Sequence, residues 1–177
     1  MKVVGLAGWS GAGKTTLLTK LIPHLAGRGL AVSTIKHAHH AFDVDTPGKD
    51  SWKHREAGAQ EVLVSSANRV ALMREMRGAP EWTLSQLLDK LSPCDLVIVE
   101  GFKRSGHPKI EVHRAQNGKP FLWPEDADIH GVASDVDAGA GAPTHAHLDD
   151  VPAIADMMLA AAIAAGDVRW RLAQRGE

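Results

Sequence analysis

The chain has 177 residues, of which 44% are hydrophobic, and its formal net charge at pH 7 is −1. A chain of this length can bury one sizeable core and is short for two independent domains, so we expect a single domain over residues 1–177. The near-zero charge provides no general attraction to nucleic acid or to an anionic membrane, and we expect neither as a partner. The single cysteine, Cys94, excludes an internal disulfide framework, and the N-terminus shows no signal peptide. We therefore expect a cytoplasmic protein.

Apolar, β-favouring runs alternate with helical patterns along the chain. This alternation predicts an α/β fold in which a mostly parallel central sheet is flanked by helices on both faces. A first strand is predicted at residues 2–7, and after a glycine-rich turn a helix begins near Lys14, with apolar residues at helical spacing. Further strands are predicted at residues 30–35, 61–64, 70–73, 96–99, 110–112 and 129–133, and further helices at residues 83–91 and 152–165. The runs 61–64 and 70–73 could alternatively pair as the two arms of a hairpin.

Residues 8–15 match the phosphate-binding pattern G-x-x-x-x-G-K-[ST] between a predicted strand and a predicted helix. The glycines allow consecutive backbone N–H groups to surround phosphates, and the helix N-terminus adds a partial positive charge. We expect Lys14 to reach the β and γ phosphates and Thr15 to place its hydroxyl on Mg²⁺. The nucleotide-binding residues predicted from the motif are Gly8, Trp9, Ser10, Gly11, Ala12, Gly13, Lys14 and Thr15. The sequence therefore predicts a P-loop NTPase fold.

An acidic residue, Glu100, directly follows the apolar run 96–99. In open α/β sheets ligands bind at the carboxyl ends of the strands, so we expect Glu100 to face the phosphates beside Lys14. There it can orient the Mg²⁺ shell or accept a hydrogen bond from a metal-bound water. A strand-end acid that faces solvent is the alternative. Lys103 and Arg104 come shortly after and suit either a phosphate or acidic ligand, or a solvated basic turn.

A long polar segment, residues 36–51, follows the second predicted strand at the ligand-binding edge. Asp45 can supply an oxygen to the Mg²⁺ shell or orient a water, so we predict that Asp45 and Glu100 are catalytic and that both bind the metal. Lys36 and Lys49 can contact phosphate or another anion. Asp50 can serve the metal in the same way, but Asp50 or Ser51 can equally cap the helix that follows.

Five histidines invite a comparison with zinc sites. They are His37, His39, His40, His145 and His147. No cysteine joins them, and histidines one residue apart in an extended segment share a face only in part. Such histidines more often line a polar anion pocket or are solvated, so the zinc site is the weaker alternative.

Several stretches together resemble the family of the molybdopterin-guanine dinucleotide biosynthesis protein MobB. They are residues 8–16, 36–40, 45–51, 57–59 and 99–103, and the resemblance extends to about residue 135. It implies a GTP-binding, weakly GTP-hydrolysing homodimer with GTP and Mg²⁺ as ligands and with Thr16, Lys36 and His37 in the nucleotide site. It also implies a partner, the guanylyltransferase MobA, which attaches GMP to molybdopterin, and it makes molybdopterin itself a candidate ligand.

Two features depart from better-known GTPases and dimeric ATPases. The N-K-x-D motif that reads guanine is absent from the sequence, and Asp135, after the run 129–133, is the candidate substitute that accepts from guanine N1 and N2. An exposed aspartate in a turn is the alternative. The second position of the phosphate loop holds Trp9, where some related dimeric ATPases carry a lysine that acts across the dimer. Because no arginine finger is evident either, we expect slow hydrolysis.

Three other functions remain compatible with these residues. A small-molecule kinase would transfer the γ-phosphoryl group to a substrate held by Lys36, His37, Lys103 and Arg104. A nucleotide-driven metallochaperone would carry a transition metal on the histidines. A structural adaptor would keep a phosphate loop that has lost its role. The combination of motifs favours an accessory GTP-binding protein over all three.

Overall fold

The computed structural model describes residues 1–38 and 42–177. His39 and His40, two of the histidines of the alternative zinc site, therefore lie outside the described residues. The strands are β1 (Lys2–Ala7), β2 (Val32–Lys36), β3 (Glu61–Ser65), β4 (Val70–Arg74), β5 (Leu96–Glu100), β6 (Lys109–His113), β7 (Ile129–Ser134), β8 (Thr144–His147) and β9 (Ile163–Ala164). The helices are α1 (Lys14–Gly27), α2 (Asp50–Glu56), α3 (Leu84–Leu88), α4 (Val151–Ala161) and α5 (Ala165–Gln174), with short 3-10 helices at Ala115–Asn117 and Trp123–Glu125.

The chain forms two compact units. The first contains Met1–His37 and Thr83–Glu177, and the second contains Ala38–Trp82. The first unit carries the central sheet, and the second carries α2 and the pair β3 and β4. That the whole chain behaves as one domain stays a prediction.

The first unit is built on a seven-stranded sheet. Its strand order is β2-β5-β1-β6-β7-β8, and all of these neighbours run parallel. The short strand β9 pairs antiparallel with the start of β1. The predicted α/β fold with a mostly parallel sheet is therefore confirmed. Because β1 lies between β5 and β6, the loops that follow these three strands leave the sheet at the same edge.

Both faces of this sheet are covered by helices, as the sequence predicts. Alternate side chains of a strand point to opposite faces. On one face Val4 and Leu6 pack in the core that α1 and α4 complete, and on the other face Val3 and Val97 pack in the core that α3 and α5 complete. The central strands therefore read as continuous apolar runs, since neither of their faces meets water.

The structure corrects the prediction near the C-terminus. The helix predicted at residues 152–165 ends at Ala161, and Ala162 is already extended with φ −66° and ψ 128°. The strand β9 and the helix α5 follow, and neither of these nor β8 was predicted. Local composition there favours helix throughout, but two residues pair with Lys2 and Val3 instead, so a tertiary contact overrides propensity. No helix within the described ranges is long and apolar enough to cross a bilayer.

The second unit contains a hairpin. Strands β3 and β4 pair antiparallel in a two-stranded sheet, with Leu63 opposite Leu72 and Ser65 opposite Val70. The hairpin alternative for the runs 61–64 and 70–73 is therefore confirmed. One face of the hairpin exposes apolar side chains, since Leu63 is 65% exposed, Leu72 is 56% exposed and Val70 is 65% exposed.

A layer of polar side chains lies buried in the first unit along β6 and the turn before it. Lys109 and Glu111 are both buried. The Lys109 ammonium lies 3.1 Å from the Asp126 carboxylate and donates to the Ser105 carbonyl at 2.8 Å. The Glu111 carboxylate accepts from the backbone N–H groups of Leu122 and Trp123 at 2.8 and 2.9 Å. Burial raises the pKa of Glu111 although these two hydrogen bonds oppose the shift. The layer thus attaches the loop at residues 119–128 to the sheet.

The same layer contains His107, which is fully buried. Burial and, to a smaller extent, the nearby Lys109 ammonium lower the pKa of His107 to about 4, although Asp128 and Asp126 oppose the shift. An unfolded histidine titrates near pH 6.5. Between about pH 4 and 6.5 the unfolded chain therefore binds one more proton than the folded chain at this residue, and the free energy of unfolding falls as the pH falls.

We predict that His107→Leu reduces this pH dependence. Urea unfolding, followed by tryptophan fluorescence, should show a slope of ΔG against pH that is smaller than in the wild type by about 1.4 kcal/mol per pH unit between pH 4.5 and 6. Above pH 7 the imidazole is neutral in both states, so the two proteins should show the same slope. Equal slopes at pH 4.5–6 would contradict the buried neutral histidine.

Candidate functional site

The glycine-rich loop connects the carboxyl end of β1 to the first turn of α1. Gly8 and Gly13 have φ of 146° and 94°, in the region that favours glycine. A Cβ at Gly8 would lie 2.4 Å from the Val112 carbonyl oxygen, so only glycine fits the close approach of this loop to β6. The backbone N–H groups at the start of α1 are thereby presented at the edge where ligands of parallel sheets bind.

Lys14 lies at the centre of a group of charged side chains. Its ammonium donates to the carbonyls of Gly8 and Trp9 at 2.9 and 3.0 Å. Partial burial lowers the pKa of Lys14, the neighbouring ammonium groups of Lys103 and Lys36 lower it further, and Glu100 opposes them. We call Lys14, Lys36 and Lys103 the cationic cluster. Such a cluster favours binding of an anion, since an anion relieves the mutual repulsion of its members.

Glu100 lies beside the cationic cluster at the end of β5. In the register of the sheet it is the partner of Lys36 in β2 and of Leu6 in β1. Its side chain is 14% exposed, and its carboxylate lies 3.8 Å from the Lys36 ammonium. Its charge also acts on Lys14, whose pKa it raises against the larger effect of burial. That Glu100 faces the phosphates, and its metal and catalytic roles, stay predictions. Thr15 and Thr16 are exposed in the first turn of α1.

His37 also lies at this edge. Its backbone N–H donates to the Glu100 carbonyl at 2.8 Å, and its ring lies 4.7 Å from the ring of Phe102, centroid to centroid. A Cβ at Gly101 would lie 2.5 Å from the His37 Cβ, so the turn after β5 packs directly on the residue that follows β2. The residues Lys36 and His37 are therefore held at the same strand ends as Glu100.

The segment that follows β6, residues 114–120, contacts the glycine-rich loop, and we call it the brace. The Trp9 indole N–H donates to the Pro120 carbonyl at 2.8 Å, and the Asn117 amide donates to the Ser10 carbonyl at 3.2 Å. An Arg114 guanidinium nitrogen lies 3.5 Å from where a Cβ on Gly13 would be. Sequence reasoning missed Arg114 and Asn117, because no motif marks them. Knowledge that β6 pairs with β1 would have identified them, because this pairing brings the loop after β6 next to the phosphate loop.

Asp135, the predicted guanine reader, lies just after β7 and contacts this brace. Its carboxylate accepts from the Ala115 backbone N–H at 2.8 Å and lies 3.9 Å from the Arg114 guanidinium. The structure thus places Asp135 against the segment that borders the phosphate loop. Its hydrogen bonds to guanine stay a prediction.

Asp45, the predicted second catalytic acid, belongs to the second unit. Its side chain is 7% exposed and accepts from the Ser51 hydroxyl at 2.8 Å, the Thr46 N–H at 2.9 Å and the Arg55 guanidinium at 3.1 Å. Burial opposes ionisation, but these hydrogen bonds outweigh it and lower the pKa of Asp45. Asp45 therefore anchors Arg55 within this unit, and its role towards Mg²⁺ stays a prediction.

The capping role considered for Asp50 and Ser51 is wrong. The N-cap of α2 is Lys49, whose side chain makes no capping hydrogen bond. Asp50 is the first residue of the helix, with its carboxylate 3.5 Å from the Lys53 ammonium, and the Ser51 hydroxyl donates to Asp45. The hydroxyl is drawn to the nearly buried Asp45 carboxylate instead of to a backbone N–H of its own helix.

Within the described part of the chain, the histidines do not form the zinc site that was the weaker alternative. There, no group of three or more His, Cys, Asp or Glu side chains is placed to hold a metal ion. His147 accepts from the Asp149 backbone N–H at 3.2 Å, so it contributes to the turn after β8. His37, His145 and His147 by themselves are therefore no zinc centre.

The parallel sheet, the glycine-rich loop after β1 and the lysine at the start of α1 define a P-loop NTPase fold. The model of the family "Molybdopterin guanine dinucleotide synthesis protein B", MobB, matches residues 3–135. The chain belongs to the MobB family.

Relatives and solved structures agree with this assignment. A molybdopterin-guanine dinucleotide biosynthesis adapter protein of Escherichia coli (strain K12) is 40% identical over 177 residues, covering 98% of this chain and 95% of the relative. The adapter protein of the same name from Haemophilus influenzae is 47% identical over 120 residues, which are 67% of each chain. A crystal structure of molybdopterin-guanine biosynthesis protein B is 30% identical, with a TM-score of 0.69, and covers 89% of this chain and 97% of that one.

Proposed function

We propose that the chain is a GTP-binding, weakly GTP-hydrolysing accessory protein of molybdenum cofactor biosynthesis. In this proposal it assists the guanylyltransferase MobA, which converts molybdopterin to molybdopterin guanine dinucleotide. Membership of a family whose relatives are adapter proteins of this synthesis supports the pathway. The single observation that carries the nucleotide part is the glycine-rich loop with Lys14 inside the cationic cluster.

The triphosphate would bind along the loop and the first turn of α1. The loop N–H groups and the ammonium of Lys14 would meet its β and γ oxygens, and Thr16 would meet the α-phosphate side. Lys36 and Lys103 add positive charge at the same edge. The close approach of Gly8 to Val112 leaves no room for a side chain at position 8, which fits a backbone cradle for phosphate.

The donor set also fits magnesium. The Thr15 hydroxyl is exposed beside Lys14, and the Glu100 carboxylate lies at the adjacent strand end. Hydroxyl and carboxylate oxygens are the ligands that Mg²⁺ takes in nucleotide sites, together with waters. Bound Mg²⁺ would neutralise charge on the phosphate oxygens. Glu100 would orient the attacking water, and hydrolysis would be slow. The catalytic role of Asp45, which belongs to the second unit, stays a prediction.

The nucleoside would lie towards the brace after β6. Asp135 would accept from guanine N1 and N2, while Arg114 lies between that carboxylate and Gly13. A carboxylate that meets two N–H donors distinguishes guanine from adenine, because adenine presents an acceptor at N1. Selectivity for GTP is thus part of the proposal.

The first test uses the partner reaction. With purified MobA, molybdopterin and GTP, the wild-type chain should raise the rate of guanine dinucleotide formation, and Lys14→Ala should remove most of that increase. Loss of one charge-assisted contact to phosphate costs about 1.5–3 kcal/mol, or roughly 10- to 100-fold in affinity. Lys20→Ala removes an exposed lysine of the same helix and is the matched control.

Full stimulation by a Lys14→Ala protein with an intact circular dichroism spectrum would show that the phosphate loop has lost its role. Product analysis of the same reactions distinguishes the accessory function from the kinase alternative. A phosphorylated metabolite formed in proportion to GDP would indicate a kinase, whereas free phosphate agrees with weak hydrolysis.

We further propose that the chain forms a homodimer through the hairpin of the second unit. Within the described residues, β3 and β4 pair only with each other, and a lone two-stranded sheet is marginally stable in water. Leu63 and Leu72 face each other across the strands on an exposed face, with Val70 further along. A second copy of this face would remove these apolar side chains from water.

Leu63→Glu should therefore convert a dimer to a monomer, because it places a charge in the apolar contact. Analytical ultracentrifugation at micromolar concentration measures the change. Trp170→Glu, which alters a side chain of α5 that is also 65% exposed, should leave the dimer intact. A wild-type monomer, or a dimer that survives Leu63→Glu, would refute this interface.

A further inference from the structure

A cavity of about 590 Å³ lies in the first unit beside the glycine-rich loop. It shares two lining residues with the loop and the cationic cluster, Trp9 and Lys103. Its volume falls in the range of small-molecule sites, about 300–1,000 Å³. The phosphate loop needs no such cavity, because the triphosphate lies along the backbone of the loop and α1. The cavity is therefore available to a second small-molecule ligand.

Two of the positively charged side chains that line the cavity are adjacent in sequence. Lys103 and Arg104 line it and follow the turn after β5. Within residues 1–38 and 42–177, neither side chain lies within 4 Å of a carboxylate. The Lys103 ammonium instead lies 5.2 Å from the centroid of the Trp9 ring. Two cations without a carboxylate partner suit an anionic group of a ligand, which Arg can bind through two parallel hydrogen bonds.

The lining also contains three carboxylates, Glu125, Asp126 and Asp128, of which the two aspartates are fixed in place by cations. Asp126 and Asp128 line the cavity, and the buried Lys109 lies 3.1 and 3.8 Å from them. Arg175 donates to both oxygens of Asp128, at 2.6 and 3.2 Å. A carboxylate has about four acceptor positions, so Asp126 can still accept N–H groups from a ligand. Its orientation is set by Lys109 before any ligand binds.

The lining also contains apolar side chains. The Trp9 indole is held in one orientation by its hydrogen bond to the Pro120 carbonyl, and Leu122 lines the cavity as well. Leu122 is itself fixed, because its backbone N–H donates to the buried Glu111. A fixed indole and an aliphatic side chain suit a flat heterocycle, which can pack against their apolar surface.

We propose that this cavity binds an anionic pterin, with the N–H edge of the ring on Asp126 and the anionic substituent on Arg104 and Lys103. The assignment deepens the proposed function, on which it rests for the choice of a pterin among flat heterocycles with N–H donors. Lys103 also belongs to the cationic cluster, so the anionic end of the pterin lies next to the terminal phosphate of the nucleotide. The chain thus holds both precursors of a dinucleotide side by side.

The probe is pterin-6-carboxylate, whose own fluorescence reports binding, titrated into the full chain with saturating GTP and Mg²⁺. We expect saturable binding that GTP does not displace. Arg104→Glu should weaken it by about tenfold or more, because a repulsive carboxylate replaces a charge-assisted contact. Lys2→Glu makes the same change of charge at the exposed amino end of β1, the opposite edge of the sheet, and should alter the affinity by less than about twofold. Neopterin, which lacks the carboxylate, should bind more weakly to the wild type.

Three results would overturn the cavity site. They are no saturable binding of the probe, displacement of the probe by GTP in proportion to occupancy, and equal affinity in wild type and a folded Arg104→Glu variant. The Lys14→Ala variant separates the test of the cavity from the test of the nucleotide proposal. It should no longer bind GTP tightly, but it should still bind the probe. Tight GTP binding by Lys14→Ala would refute the role of the phosphate loop, while the probe affinity would still decide the cavity.

Discussion

The close approach of Gly8 to the Val112 carbonyl is the constraint on which the candidate site depends. With 2.4 Å between that oxygen and a Cβ at Gly8, the chain can leave β1 against β6 only where no side chain intervenes. After this contact the chain turns, and α1 begins at Lys14. The same approach puts the segment after β6 within hydrogen-bonding distance of Trp9 and Ser10. One backbone contact thus fixes the shape of the loop and supplies its brace.

Charge is the second organising feature. Parallel strands β2, β5 and β1 end at the same edge of the sheet, which brings Lys36 and Glu100 close to Lys14 at the start of α1. Bringing three lysines together costs electrostatic free energy in the folded protein, and one carboxylate offsets only part of it. A bound polyanion would recover that free energy. Repulsion among the lysines thus destabilises the site when it is empty and favours the binding of phosphate.

The sequence predicted the parts of this site that are local in the chain. The glycine loop, Lys14 and Glu100 follow from strand, turn and helix patterns within a few residues, and the parallel α/β sheet follows from their repetition. Arg114 and Asn117 were missed because their role arises from the pairing of β6 with β1, some 100 residues apart. The end of α4 and the strand β9 were missed for a similar reason. A β-strand partner at the N-terminus decides the conformation there, and an alanine-rich sequence carries no sign of it.

The central claim is that the loop after β1 binds GTP with Mg²⁺ and prefers it to ATP. Isothermal titration calorimetry of the untagged chain with each nucleotide, in the presence of Mg²⁺, measures both affinities under one condition. We expect saturable GTP binding at one site per chain, with an affinity about tenfold or more above that for ATP, since ATP cannot donate twice to Asp135. Equal affinities, or a preference for ATP, would contradict the assignment of Asp135, and the absence of binding by either nucleotide would contradict the site itself.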